Sequence, residues 1–162
     1  MNAIYSKIQA QAVKIAAQYP AADFYRDFAD EVEYSLNFFS TDPVVCELYA
    51  YLTENIEDDF GHGLSHVRKV AHDAGTLAVI EGGQYGGNIS DGALRHRLRL
   101  AQCAGLLHDI GKAVDHDIQG THIEIGIKIL QKFNAGKEVI DAMKPHHEDY
   151  PFEIPFENAD LT

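Results

Sequence analysis

The residues best suited to chemistry are histidines, and several of them lie at the start or the end of a predicted helix. An apolar run at 104–107 ends in the adjacent pair His108-Asp109, which is followed by Gly111 and Lys112. Helical spacing places His108 on the apolar, core-facing side of its helix, next to a carboxylate. Imidazole and carboxylate groups both bind divalent transition metals, at roughly 2.0–2.2 Å. The pair therefore predicts part of a metal site, and a core histidine bonded to an aspartate is the alternative interpretation.

Further histidines extend this set along the second part of the chain, since all nine lie from His62 onward. His66 lies beside the apolar stripe of a predicted helix, and His62 precedes it by four residues, a spacing that brings two ligands onto one helical face. Glycines on both sides leave it open whether His62 is helical. His72, in a second His-Asp pair, points to a different face and is expected to be exposed. His122, His146 and His147 also lie at the ends of predicted helices.

The rest of the pattern predicts helices throughout. Apolar periodicity, capping residues and prolines predict helices at about 2–19, 23–39, 43–55, 64–80, 92–110, 122–133 and 136–143. Four alternating isoleucines in the 122–133 segment are typical of a strand, but Thr121 with Glu124 three residues later forms a capping box and favours a helix. We therefore expect an all-α bundle in one compact domain. Residues 1–58 form a supporting helical region, and residues 59–162 carry the chemistry.

The composition indicates a cytoplasmic protein that has no membrane partner. The 162 residues contain no apolar run near the roughly 18 residues of a membrane helix, and the N-terminus lacks the layout of a signal peptide. The two cysteines, Cys46 and Cys103, fit no disulfide or metal spacing. A net charge of −12 argues against binding a long polyanion such as a nucleic acid. Bound divalent cations can still reverse the local field for a small phosphorylated substrate. A homo-oligomer remains open.

Two stretches of the sequence resemble a known family. The order of the motifs is similar to that of the HD-domain metal-dependent phosphohydrolase superfamily. A first histidine is followed by an HD pair that ends an apolar helix, then by Ile-Gly-Lys and by a later aspartate. Residues 104–126, AGLLHDIGKAVDHDIQGTHIEIG, resemble the HD domain of the ribonuclease Y family. Residues 61–83, GHGLSHVRKVAHDAGTLAVIEGG, are similar to small stand-alone HD hydrolases. The resemblance covers about residues 60–148.

This resemblance implies an HD-domain helical bundle that holds one or two divalent ions, which would be Mn, Fe, Co, Mg, Ni or Zn. The implied ligands are His66, His108, Asp109 and a last aspartate, Asp160. Families with two ions use the aspartate of the HD pair as a bridge and add histidines at the positions of His122, His146 and His147. The chain retains all three, which favours two ions over one. His62 is an additional candidate ligand.

The implied activity is hydrolysis of a phosphate ester or anhydride in a small nucleotide-like substrate by a metal-activated hydroxide. Asp109 and Lys112 are the expected catalytic residues, and Lys112 and Arg68 are expected to hold phosphate oxygens. A phosphodiesterase acting on RNA or a cyclic dinucleotide is one alternative. A catalytically inactive, metal-holding signalling or interaction module is another.

Overall fold

A computed structural model describes residues 3–20, 22–55, 63–84, 90–113 and 122–144, and all structural statements concern these residues. This part of the chain is helical and contains no strand, so the all-α prediction is confirmed. The α-helices are α1 Ala3–Ala16, α2 Asp23–Asp27, α3 Ala29–Thr41, α4 Pro43–Asn55, α5 Leu64–Gln84, α6 Asp91–Leu107, α7 His122–Lys132 and α8 Lys137–Met143, with a 3₁₀ helix at Ile110–Ala113 between α6 and α7.

Helices α5 and α6 form the centre of the bundle and run antiparallel. They approach closely because a small residue lies on each side: a Cβ at Gly105 of α6 would lie 2.7 Å from the Cα of Ala71 in α5. Helices α3, α4 and α8 pack around this pair and bury an apolar core that includes Leu52, Leu98 and Met143. The antiparallel packing brings the first turn of α5 next to the last turn of α6, where the predicted ligands lie.

Asp42 begins α4 and also attaches it to α6. Its side-chain oxygen accepts hydrogen bonds from the backbone N–H groups of Val44 and Val45, at 3.2 and 3.3 Å, as an N-cap does. Its other oxygen lies 2.7 Å from the guanidinium of Arg99 in α6. The hydrogen bond from Arg99 lowers the pKa of Asp42 and outweighs the effect of burial, which acts in the opposite direction. The carboxylate is fully buried, so this pair fixes α4 against α6.

The single helix predicted at 23–39 is wrong, because the chain forms two helices that meet at Phe28. This residue has φ −120° and ψ 38°, outside the helical region, and so ends α2 before α3 begins. The apolar stripe continues across the break, so periodicity alone did not reveal it. Similarly, the helix predicted to reach residue 110 ends at Leu107 and continues as the 3₁₀ helix.

Helix α1 contributes none of its described side chains to the core. Ile8, Ile15 and Tyr19 are 62%, 51% and 71% exposed, although their helical spacing predicted one apolar face. Within the described helices, none combines the length and the apolar character needed to cross a bilayer. The parts of the N-terminal region that pack on the core are α3 and α4.

Candidate metal centre

His66, His108 and Asp109 lie together where α5 begins and α6 ends. The Nε2 atoms of the two histidines are 3.2 Å apart. Asp109 Oδ2 lies 3.4 Å from His108 Nε2 and 3.7 Å from His66 Nε2. Ligands bonded to one ion at roughly 2.1 Å lie about 3.0–3.5 Å from one another. The three donor atoms therefore already have nearly the separation that a single metal ion would impose.

The orientation of His108 is fixed from within its own helix. Its Nδ1 lies 2.8 Å from the backbone carbonyl oxygen of Gly105, which can only accept, so Nδ1 donates the hydrogen bond. In the neutral ring this leaves the lone pair on Nε2, the atom that faces His66 and Asp109. Such a backbone bond to the second ring nitrogen is the usual way in which a metal-binding histidine is held.

Asp109 is the buried negative charge at this centre, with a side chain only 4% exposed. Burial acts to raise its pKa, but hydrogen bonds with His108 and Lys112 outweigh burial and hold the pKa well below its usual range. Lys112 Nζ lies 2.9 Å from Oδ1 and 3.0 Å from Oδ2 of the carboxylate. Asp109 therefore carries a negative charge at neutral pH, as a carboxylate that could bind a cation does.

His122 approaches Asp109 from the opposite side. Its Nε2 lies 3.6 Å from Oδ1, and its side chain is 1% exposed. The two oxygens of Asp109 thus face different histidines: Oδ2 faces His66 and His108, whereas Oδ1 faces His122. A carboxylate with ring nitrogens beside both of its oxygens has the arrangement needed to bridge two ions.

Gly111 allows α7 to reach the centre. A Cβ at this position would overlap the backbone carbonyl oxygen of His122, so only glycine lets the turn after Asp109 pack directly against the first residue of α7. In the sequence, Gly111 indicates only the end of an apolar helix. The glycine itself is the sequence signal for a close backbone contact, but no local sequence pattern shows which backbone atoms it contacts.

The structure places Arg68 away from these residues. The side chain two positions after His66 points about 200° around α5. The Arg68 Nε donates to His72 Nε2 at 3.2 Å, and the guanidinium carbon lies 5.9 Å from the ring centre of Tyr49. Four other predicted ligands fall outside the described residues: His62, His146, His147 and Asp160.

His72 is half-buried, so the expectation that it is exposed is wrong. Its ring packs on Phe39 with the ring centres 4.3 Å apart. Burial lowers the pKa of His72, and the positive charge of Arg68 lowers it further, so the ring is neutral at pH 7. The helical face that looked polar in the sequence is covered by α3, which the pattern of α5 alone could not show.

The donor set fits a divalent transition metal. Two imidazole nitrogens and one carboxylate oxygen lie within 4.8 Å of one another, and His122 adds a fourth group beyond the carboxylate. Mixed nitrogen and oxygen ligands of this kind suit zinc, manganese, iron, cobalt or nickel better than calcium.

Comparison with known proteins matches the chain to a family profile and to named relatives. The profile described as HD domain matches residues 63–159. A protein named Ribonuclease Y from Staphylococcus epidermidis strain RP62A is 33% identical over 128 residues, which are 78% of this chain and 22% of that protein. Proteins of the same name from Alkaliphilus metalliredigens and Symbiobacterium thermophilum are 46% identical over 87 residues and 35% identical over 125. These matches cover 54% and 76% of this chain, and 16% and 21% of the relatives.

The chain therefore spans about a fifth of the length of these relatives. No solved structure matches it significantly.

Proposed function

The chain belongs to the HD-domain family, a superfamily of metal-dependent phosphohydrolases, and we propose that it hydrolyses phosphodiester bonds of RNA at the centre formed by His66, His108 and Asp109. The observation that carries the proposal is the convergence of these three donor atoms within 4.8 Å of one another. The name Ribonuclease Y of the relatives supports RNA as the substrate class. The net charge of −12 argued against nucleic acid, and these relatives leave that expectation unsupported.

Each residue has a role that follows from its position. His66 and His108 hold the cation through Nε2. Asp109 supplies a negative charge, with Oδ2 facing these two histidines and Oδ1 facing His122. A divalent cation bound there makes water nucleophilic at neutral pH and polarises the phosphoryl group. Lys112 has its ammonium beside Asp109, from which it can turn to hold a non-bridging phosphate oxygen. His122 is placed to bind a second cation on the Oδ1 side.

We further propose that two ions are bound rather than one. The support is the position of histidines beside both oxygens of Asp109. The remaining ligands would come from the set that the family resemblance implies, and His146, His147, His62 and Asp160 stay candidates for these places. Two ions about 3.5–4 Å apart suit an in-line displacement at phosphorus, since they stabilise both the attacking and the leaving oxygen.

A small nucleotide substrate is the second candidate. The acidic chain favours it, because binding a long polyanion depends on many lysine and arginine contacts. Both candidates use the same centre and the same ions, so substrate length is the property that separates them. A third outcome, metal binding without turnover, would identify a non-catalytic module.

The test is a substrate panel assayed with Mn²⁺, Co²⁺ or Zn²⁺ and with a chelator. It contains a 5′-labelled oligoribonucleotide of about ten residues, a cyclic dinucleotide and nucleoside mono-, di- and triphosphates. We expect cleavage of the oligoribonucleotide with metal and none with the chelator. Asp109→Asn should abolish cleavage, whereas Asp141→Asn, the same change in an ion pair on α8, should not. Turnover of nucleoside phosphates alone would instead support the second candidate.

A further inference from the structure

A shallow, solvent-open cavity of about 460 Å³ lies on the side of α5 away from the metal centre, between α3, α4 and α5. Its volume is in the range of pockets that bind small organic molecules. The half-buried Tyr49 and the buried Phe39 meet edge to face, with their ring centres 5.3 Å apart, and together they form an aromatic wall of the cavity. Arg68 and Glu54 also line the cavity, and their side chains carry opposite charges. The metal-centre residues take no part in this lining.

Arg68 is held so that part of its guanidinium remains available. Its Nε donates to His72 Nε2, and that ring packs in turn on Phe39, so the arginine is oriented by groups behind the cavity wall. Among the described residues, no side chain or carbonyl oxygen accepts a hydrogen bond from the two terminal amino groups of Arg68. A guanidinium with both terminal groups available binds a phosphate or carboxylate in bidentate form.

Each part of this cavity favours a different part of a ligand. The terminal amino groups of Arg68 favour an anion, and the aromatic wall favours an apolar ring that packs against it. The carboxylate of Glu54 favours a hydrogen-bond donor such as an exocyclic amino group. A nucleoside monophosphate unit with an amino-bearing base has all three properties, and it is of a size that the cavity can hold.

We propose that this cavity is a second binding site, separate from the metal centre, for a nucleoside monophosphate unit whose phosphate contacts Arg68 and whose base lies against Tyr49 and Phe39. The unit has two sources, a free mononucleotide or one nucleotide of an RNA strand that also reaches the metal centre. Arg68 thereby becomes a ligand-binding residue of this cavity, in place of the phosphate-holding role that the sequence suggested at the metal centre.

Cys46 provides a reporter for this site because it lines the cavity and is half-buried. Burial raises the pKa of Cys103, the other cysteine, to about 11, so alkylation at moderate pH is directed to Cys46. The experiment measures iodoacetamide modification of Cys46 by peptide mass spectrometry in the full chain with a chelator present. Adenosine 5′-monophosphate, inorganic phosphate and an oligoribonucleotide are the probes.

We expect adenosine 5′-monophosphate to slow alkylation of Cys46 by about tenfold at ten times its Kd, since the unprotected fraction falls as 1/(1 + [L]/Kd). Phosphate alone should protect much less. Arg68→Gln should remove the protection, and Arg26→Gln, the same change at an exposed position on α2, should keep it. Ala50→Phe, which fills the cavity from an exposed position on α4, should also remove the protection of Cys46. This variant replaces Arg68→Gln if Arg68→Gln fails to fold.

Protection by the mononucleotide identifies a free ligand, and protection by the oligoribonucleotide alone identifies a strand subsite; both support the proposal. The proposal is overturned if neither probe protects Cys46. It is also overturned if protection survives Arg68→Gln and Ala50→Phe, or if phosphate alone gives the same protection. Because the chelator removes the metal, a negative result here leaves the proposed hydrolase activity untouched. A positive result would likewise stand if the substrate panel showed no turnover.

Discussion

Asp109 is the central residue of the proposed metal centre because histidine nitrogens lie beside both of its oxygens. A change to asparagine keeps the size and removes the charge that offsets a cation. We predict that Asp109→Asn lowers affinity for Mn²⁺ or Zn²⁺ by more than the roughly 10–100-fold caused by losing an outer hydrogen-bond partner of a ligand. Isothermal titration calorimetry measures this directly. An affinity within threefold of the wild-type value would mean that Asp109 is not a ligand, and Asp141→Asn serves as the matched control.

Gly111 is the second residue on which the centre depends. We predict that Gly111→Ala destabilises the protein by about 2–3 kcal/mol, because the new methyl group forces the turn away from His122. The variant should also lose metal affinity, since His122 moves relative to Asp109. Urea denaturation and metal titration measure the two effects.

Gly83→Ala is the control for this prediction. Gly83 lies in α5 with nothing near the position of a new Cβ, so alanine there should stabilise the helix by roughly 0.5–1 kcal/mol. If Gly111→Ala behaved like Gly83→Ala, the close contact between the turn and α7 would be wrong.

At the scale of elements, the ion pair between Asp42 and Arg99 joins α4 to α6. The folded-state pKa of Asp42 lies below the ordinary value of 3.8, so its contribution to stability is complete above that value and is lost as the pH falls below it. We predict that Asp42→Asn lowers the free energy of unfolding by about 2 kcal/mol at pH 7, because asparagine can keep the cap but leaves Arg99 without its charged partner.

The difference between wild type and Asp42→Asn should shrink as the pH is lowered from about 4 to 3, because the Asp42 carboxylate of the unfolded chain then takes up a proton that the folded protein still excludes. Urea denaturation at several pH values tests this. Asp30→Asn, at an exposed position on α3, should show neither effect. A difference that stays constant down to pH 3 would contradict the role assigned to the Asp42 charge.

Most helices could be predicted from the sequence because their signals are local. The Asp42-Pro43 start of α4 and the Ser90 cap of α6, whose oxygen accepts from the Ala93 N–H, follow from residue type alone. The alternating isoleucines of α7 gave two interpretations, and the helical one is confirmed. The break at Phe28 and the covering of His72 by α3 were not predictable in this way, since each depends on a neighbouring element.

At the scale of the molecule, α1 stands outside the core. We predict that deletion of residues 1–20 changes the unfolding midpoint by little and leaves metal affinity unchanged, because none of the described side chains of α1 is buried. Thermal denaturation and metal titration of the shortened chain measure this. A loss of more than about 2 kcal/mol would show that α1 packs on the bundle in solution.

The site was predictable in part. The sequence identified His66, His108, Asp109 and His122 as residues able to bind a metal, and family resemblance implied that they act together. Residue spacing could not show that they meet, because they lie in α5, in the turn after α6 and in α7. Their meeting depends on the close approach of the backbone at Gly105 and Gly111. Arg68 shows the opposite case: a plausible residue type near His66 in sequence lies on the far side of its helix.

The central claim is that separated side chains surround a cation. Crystals grown with Zn²⁺ and measured at the zinc absorption edge test it most directly. We predict an anomalous difference peak about 2.0–2.2 Å from Nε2 of His66, Nε2 of His108 and a carboxylate oxygen of Asp109. A structure in which zinc binds elsewhere, with Lys112 still paired to Asp109 and no ion between the two histidines, would contradict the assignment.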